Sequence, residues 1–438
     1  MDLLKDNVGK LYRKFFIASF GSALIACIYG LVDMAMVGQY HGPDGSAAMA
    51  VIAPIWNIIY SFGLLCGIGG SVIYAVARGE RDDVKAANGY FTSAFILGAI
   101  WALILWALVW VCEEPLLRLF GANDALMPLC KEYMVAPKLT VPVYVFINLL
   151  SSFLRNDGDP GRATKAVIFG GIFNVFGDYF FVFTLDMGIK GAGIATAMGA
   201  SMSVLVMLTH FISKKNTLKF VKPLRILNSF KMISVNGFSS FIVDVAMGIA
   251  TMLFNRRVME YLGTDALAVY GVIVVVGTLV QCCSYGIGQA AQPVISRNFG
   301  AGLTDRIKTM LKYNIITAAV FGAIWTVLSM AMPQVFIKLF MTPTPEVLSI
   351  APGIIRIYAI SFVLLPFNIY STYYFQAIMR AKISLIASVA RGIVISGALI
   401  LLLPVAFGGN AVWWAMPITE AVVFVYSAVM MKKVKLSR

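Results

Sequence analysis

The sequence predicts an all-α polytopic membrane protein: twelve transmembrane helices in two pseudo-symmetric six-helix lobes, a parallel repeat around a central cleft. Three observations predict it. The chain is 60% hydrophobic and only 13% charged, with a mean hydropathy of +0.84; soluble domains average about 25% charged residues. Apolar runs of bilayer length, bounded by polar or Gly/Pro-rich turns, recur along all 438 residues. The second half also repeats the first: GIGGSVIYAVAR (Gly67–Arg78) returns as GIGQAAQPVISR (Gly286–Arg297), and LRLFGAND (Leu117–Asp124) as IKLFMTPT (Ile337–Thr344).

Taken in order, the spans are expected at 15–38, 48–77, 89–112, 131–153, 164–184, 189–212, 232–255, 265–295, 309–332, 351–377, 383–405 and 411–431. All are expected as helices, because lipid leaves the backbone of an open sheet unsatisfied. Lys5, Lys10, Arg13 and Lys14 precede the first run, which lacks a clear small-residue cleavage site and reads as an uncleaved span rather than a signal peptide. Most lysines and arginines fall in the termini and the even-numbered loops, such as Arg78/Arg81/Lys85, Arg155/Arg162/Lys165 and Arg380/Lys382, whereas 39–47 and 407–410 carry none. That asymmetry puts both termini in the cytoplasm of a multi-pass plasma-membrane protein. It also reads the net charge of +14 as attraction to anionic headgroups rather than to nucleic acid.

Six spans per half give two lobes of the same orientation, 1–217 and 218–438, a pattern that points to a transporter. The joining stretch Ser213–Lys231 holds six basic residues and is expected to be a solvated linker. Cys112 and Cys130 flank one loop and would pair only if it faced an oxidising side. Pro54, Pro142, Pro293 and Pro366 lie inside spans as candidate bends.

Several classes are excluded. The paired glycines at 67/69 and 286/288 lack the strand and third glycine of a dinucleotide fingerprint, and no GxxxxGK[ST] occurs. Two histidines, His41 and His210, make neither a metal cluster nor a catalytic site, and no loop is long enough for a soluble catalytic domain. An enzyme is therefore not expected, nor a cofactor beyond a coupling ion.

Of the 21 acidic residues, Asp33, Asp178, Asp244 and Glu420 fall well inside spans, with Arg391 as their deepest basic counterpart. An intramembrane charge is costly and marks a functional candidate. At 1.5 Å rise per residue, Asp33 lies ~6 Å from the outer end of span 1, Asp178 ~9 Å from the outer end of span 5 and Thr196 ~10 Å from that of span 6, with Asn174 one turn from Asp178. Two carboxylates, an amide and a hydroxyl at one depth form an all-oxygen pocket suited to Na⁺, or to a proton shared by the acids. The repeat does not copy it: the positions 219 residues on are Met252, Ile393, Gly397 and Ala415. Asp244 and Glu420 lie nearer the midplane, where they either face the cleft or pair with Arg391. Together with Gln281, Met34, Met36, Tyr179 and Tyr370 they are candidate cleft residues for flat organic cations.

The motifs VDMAMVGQY (Val32–Tyr40), LRNDGDPGRA (Leu154–Ala163), NVFGD (Asn174–Asp178), GAGIAT (Gly191–Thr196), GIGQAAQPVISRNFGAG (Gly286–Gly302), FQAIMRAK (Phe375–Lys382) and MPITE (Met416–Glu420) together resemble the multidrug and toxic compound extrusion (MATE) transporters. The likeness lies with the staphylococcal-type and DNA-damage-inducible prokaryotic branch and runs over nearly the whole chain. It implies two six-helix lobes in a V, acting as a monomer, and antiport of organic cations against Na⁺ or H⁺. It also implies a coupling site at Asp33, Asn174, Asp178 and Thr196. Asp244 stands where similar sequences commonly have Glu, and Met379 where they often have Gly. The rival reading is a lipid-linked glycan flippase, which calls for a richly cationic cleft to hold pyrophosphate.

Overall fold

The computed structural model describes residues 2–81, 83–223, 225–340 and 343–436. Among the described residues, eleven helical stretches are long and apolar enough to cross a membrane. One of them, Ile226–Gly300, is 75 residues long and leaves helical geometry at Gly263 (φ 80°, ψ −169°). A bilayer needs only about 20 residues per crossing, so this element makes two. The crossings are α1 (Val8–Gly42), α2 (Asp44–Glu80), α3 (Val84–Val111), α4 (Val135–Asn156), α5 (Pro160–Thr184), α6 (Gly188–Ile212), α7 (226–262), α8 (264–300), α9 (Thr304–Ala331), α10 (Pro345–Ala377), α11 (Ala381–Phe407) and α12 (Gly409–Lys433).

The first turn is tighter than the expected 39–47 loop. Helix α1 runs to Gly42 (φ 63°, ψ −147°), and α2 begins at Asp44. Gly42 and Gly263 occupy the same place in the two halves, and an L-residue with a side chain takes such angles only at a cost. The repeat recurs elsewhere. The short helices Glu113–Leu119 and Pro333–Phe340 carry the matched LRLF and IKLF segments. Gly158 (φ 82°) and Met379 (φ 58°) turn the chain at equivalent points. The left-handed backbone at Met379 explains why a glycine suits that position.

The two halves share a core at the end of the bundle that carries both termini. There Leu11, Phe15, Ile68 and Val72 from the first half pack with Ile287, Val294, Ile295 and Tyr374 from the second. At the opposite end the cores are separate. One gathers Ile52, Ile59, Tyr133 and Val141 of the first half; the other gathers Phe254, Tyr270, Ile355 and Trp413 of the second. The lobes therefore meet at the termini end and diverge away from it. Glycines bring the backbones together at the meeting point. A Cβ on Gly69 would lie 2.2 Å from the Ile233 carbonyl oxygen, and one on Gly237 2.0 Å from that of Leu65. Asn156 and Gln292 add a side-chain hydrogen bond between α4 and α8 (3.2 Å).

The linker is not freely solvated. The Asn88 side chain donates to the Thr217 carbonyl (3.1 Å) and accepts from the Lys219 N–H (3.1 Å), and the Thr92 hydroxyl accepts from the Val221 N–H (3.0 Å). Asp157 accepts from the Thr217 N–H (2.9 Å), and Leu218 is buried in the first half's core. A segment expected to divide at 217/218 is thus strapped to the first half as far as Val221. Cys112 and Cys130 are free thiols.

Candidate ion-coupling and substrate sites

Two helix crossings assemble the first site. Helices α5 and α6 approach through small residues: a Cβ on Gly170 would lie 2.7 Å from the Gly199 carbonyl oxygen, and one on Gly199 2.6 Å from that of Gly170 and 2.9 Å from Cβ of Asn174. A Cβ on Gly177 would lie 3.0 Å from that of Ala195. This close packing, encoded by NVFGD and GAGIAT, sets Asn174, Asp178 and Thr196 side by side. The Asn174 amide donates to Thr196 Oγ1 (3.3 Å) and reaches Asp178 Oδ1 (3.5 Å).

Asp33 joins from α1 through a residue that the sequence did not single out. Tyr133, at the end of the short helix Met127–Tyr133, donates its hydroxyl to Asp33 Oδ2 (3.0 Å) and lies close to Thr196. Asp33 and Asp178 are close enough to interact electrostatically. All four expected residues are buried and come together, with Tyr133 completing the chain. Asp33 Oδ1, Asn174 Oδ1 and Asp178 Oδ2 have no hydrogen-bond partner. Three orphaned buried acceptors among two carboxylates and an amide fit a small cation or a proton, since an unpaired buried oxygen is otherwise costly. Tyr40 donates to Asp186 and His41 Nε2 accepts from the Ile189 N–H (3.0 Å), so the far end of α1 is pinned to the α5–α6 turn. Helix α1 itself is unbroken through Asp33, and the π-helical turn Tyr179–Thr184 follows Asp178 directly.

The second half carries different chemistry. Tyr285 donates to Asp244 Oδ1 (2.7 Å) and lies 2.6 Å from the Gln281 amide, while Asp244 Oδ2 has no partner. Glu420 is fully buried; it accepts from Arg391 Nε (2.8 Å) on one oxygen and from Asn368 (2.6 Å) on the other. It therefore lies behind Arg391 rather than on a cavity wall. Two small adjoining cavities share Arg391 and Val243: one includes Asp244, Tyr285 and Tyr373, and the other Gln281, Phe254 and Tyr358. Tyr370 is fully buried in the termini-end core and borders neither cavity. Met34 and Tyr179 are exposed and Met36 is half-buried; none of the three borders these cavities.

Twelve crossings in two repeated lobes, joined at one end and holding buried acids at lobe-specific positions, define a membrane transporter rather than an enzyme. The MatE family model matches residues 18–180 and again 236–401, and the chain belongs to this family. The chain is 23% identical to multidrug export protein MepA of Staphylococcus saprophyticus and 24% identical to that of Staphylococcus haemolyticus, each over 95% of this chain and 92% of the relative. The fold matches a solved outward-facing conformation of a multidrug resistance MATE family transporter of the MOP superfamily. That match has a TM-score of 0.89 and 22% identity over 98% of this chain and 97% of the other.

Proposed function

We propose that the chain is a multidrug efflux protein: a secondary-active antiporter that moves organic cations out of the cell in exchange for Na⁺ or H⁺. The observation that carries this reading is the buried Asp33–Tyr133–Thr196–Asn174–Asp178 network with its three unpartnered oxygens. Na⁺ or H⁺ here is cargo, held by Asp33, Asn174, Asp178 and Thr196. The names of the staphylococcal relatives support drug export. In the cycle we infer, the cleft takes up the coupling ion at Asp33 and Asp178, the neutralised network shifts α1, and bound cation leaves. The lobes, near 1–217 and 218–438 with Thr217–Val221 travelling with the first, then rock about their shared core. The protein works as a monomer in the plasma membrane with both termini cytoplasmic. A glycan flippase fits less well, because Arg391 is the one basic residue on the walls of the two cavities.

The test is transport in proteoliposomes, driven separately by an imposed Na⁺ gradient and an imposed pH gradient. Wild-type protein should concentrate a cationic dye under one of them, and Asp33→Asn and Asp178→Asn should each abolish it. Dye accumulation that survives both substitutions would overturn the mechanism.

A further inference from the structure

Arg155 carries a charge that neither the coupling site nor the second-half cavities use. Its sequence position groups it with the loop charges, yet it lies in the last turn of α4 and is only 7% exposed. Its Nε is buried without a partner, and no hydrogen bond or ion pair joins its guanidinium to the protein among the described residues. No carboxylate stands within its electrostatic reach. The ionisable groups that do are Tyr60 of the first half and Tyr373 of the second, and a phenol is neutral near pH 7. Asp244 acts on both of these tyrosines but not on Arg155. An arginine cannot escape burial by losing its proton, and a buried charge with no partner is costly.

The position explains which way the charge faces. The next residue, Asn156, makes the side-chain hydrogen bond to Gln292 that ties the two halves together. Side chains on a helix lean toward its N-terminus. The guanidinium is therefore carried away from the last carbonyls of α4 and toward Tyr60 and Tyr373, where the lobes begin to diverge.

The repeat shows that the fold needs no charge here. Gly158 and Met379 are equivalent turn residues, and three positions before them stand Arg155 and Gln376. Gln376 is fully buried and satisfied: its amide donates to the Asn236 carbonyl oxygen (2.9 Å), and its Oε1 accepts from Ser240 (3.2 Å). The second half thus closes the same turn with a neutral, fully bonded amide. The first half holds a cation with five donors and no acceptor.

We propose that Arg155 is the binding site of a small inorganic anion, chloride in the first instance, at the closed end of the cleft between the lobes. The anion takes the Nη groups and neutralises the floor of the cleft. Burial of the rest of the side chain leaves room beside it for a small ion only. The site is separate from the Asp33–Asp178 network and does not depend on which cation drives transport.

The experiment follows the thermal midpoint of the full-length protein in nanodiscs as sodium chloride replaces sodium gluconate. Na⁺ is held constant, so the coupling site sees no change. Chloride should raise the wild-type midpoint by a few degrees and saturate, as expected of a ligand that binds the folded state. Arg155→Gln, which installs the amide found in the second half, should abolish the rise. Arg155→Lys keeps the charge but loses the planar fork, so its rise should need several-fold more chloride. Equal wild-type midpoints in the two salts would mean that water alone hydrates Arg155, and would overturn the proposal. A chloride effect that persists in Arg155→Gln places the ion elsewhere and overturns it too. An unchanged chloride dependence in Arg155→Lys does the same, even if Arg155→Gln fails to fold.

Discussion

Gly79 on α2 and Gly300 on α8 each press against the carbonyl three residues before the other. A Cβ on Gly79 would lie 2.1 Å from the Arg297 oxygen, and one on Gly300 2.1 Å from the Val76 oxygen. The contact is reciprocal and relates equivalent points of the two halves, so it falls where the lobes seal the termini end. Overpacking such a contact costs about 1–3 kcal/mol, enough to shift a two-state equilibrium about fivefold or more. Gly79→Ala and Gly300→Ala are expected to part the lobes at this end. The check is the distance distribution between spin labels at Lys85 and Lys308, both exposed, which should move to longer values. An unchanged distribution would mean that the contact plays no part in closing the lobes.

The helices and their order were legible because lipid forces a simple pattern: apolar runs of fixed length, with charge displaced to one side. Asp33, Asn174, Asp178 and Thr196 were legible because buried acids are rare enough in a membrane to stand out, and depth follows from helical rise. Tyr133 was not, because a tyrosine near a span end carries no signal until the helix Met127–Tyr133 aims it at α1, 100 residues away in sequence. The linker was misread as solvated because charge hides what backbone does. Its lysines reach outward while Asn88 and Thr92 capture its N–H and C=O groups from the side. Met379 shows the same limit. Its side chain packs against both the shared core and the core of the first half, a tertiary contact that offsets its left-handed backbone.

Tyr133 is the donor that Asp33 Oδ2 depends on. Tyr133→Phe keeps the ring in its buried place and leaves Asp33 Oδ2 without its donor, at about 1–3 kcal/mol. Ion-driven dye transport should fall about tenfold, while the thermal midpoint of the purified protein moves by only a few degrees. Transport at the wild-type rate would show that Tyr133 is packing alone.

Gly199 positions Asn174 by its lack of a side chain. Gly199→Ala places a methyl group 2.6 Å from the Gly170 carbonyl oxygen and 2.9 Å from Cβ of Asn174, so α5 and α6 must separate. Asn174 then loses Thr196, already at 3.3 Å. The expected result is destabilisation of about 1–3 kcal/mol together with loss of ion-driven transport, while Gly161→Ala, on the partner helix α5 with open space around it, leaves both intact. Thermal melts and proteoliposome transport on the two variants decide it; equal behaviour would remove the close-packing argument.

Asp159, in the turn between α4 and α5, is held well below the usual carboxylate range. The hydrogen bond from His210 is the largest cause, and Arg162 and Lys215 add to it against the cost of burial. His210 is fully buried between Asp157 and Asp159, and Asp157 in turn grips the linker at Thr217. A carboxylate whose folded pKa is depressed contributes stability that is fully present above its unfolded value, near about 3.9. That stability is lost as pH falls from there toward the folded value. The melting temperature of the detergent-purified protein should therefore drop below about pH 4. Asp159→Asn should lower it at neutral pH and flatten the acid drop. Scanning fluorimetry from pH 3 to pH 7, roughly one unit below the free carboxylate value to three units above it, separates the outcomes. An acid drop as steep in Asp159→Asn as in the wild type would place the loss on other carboxylates and refute this account of the turn.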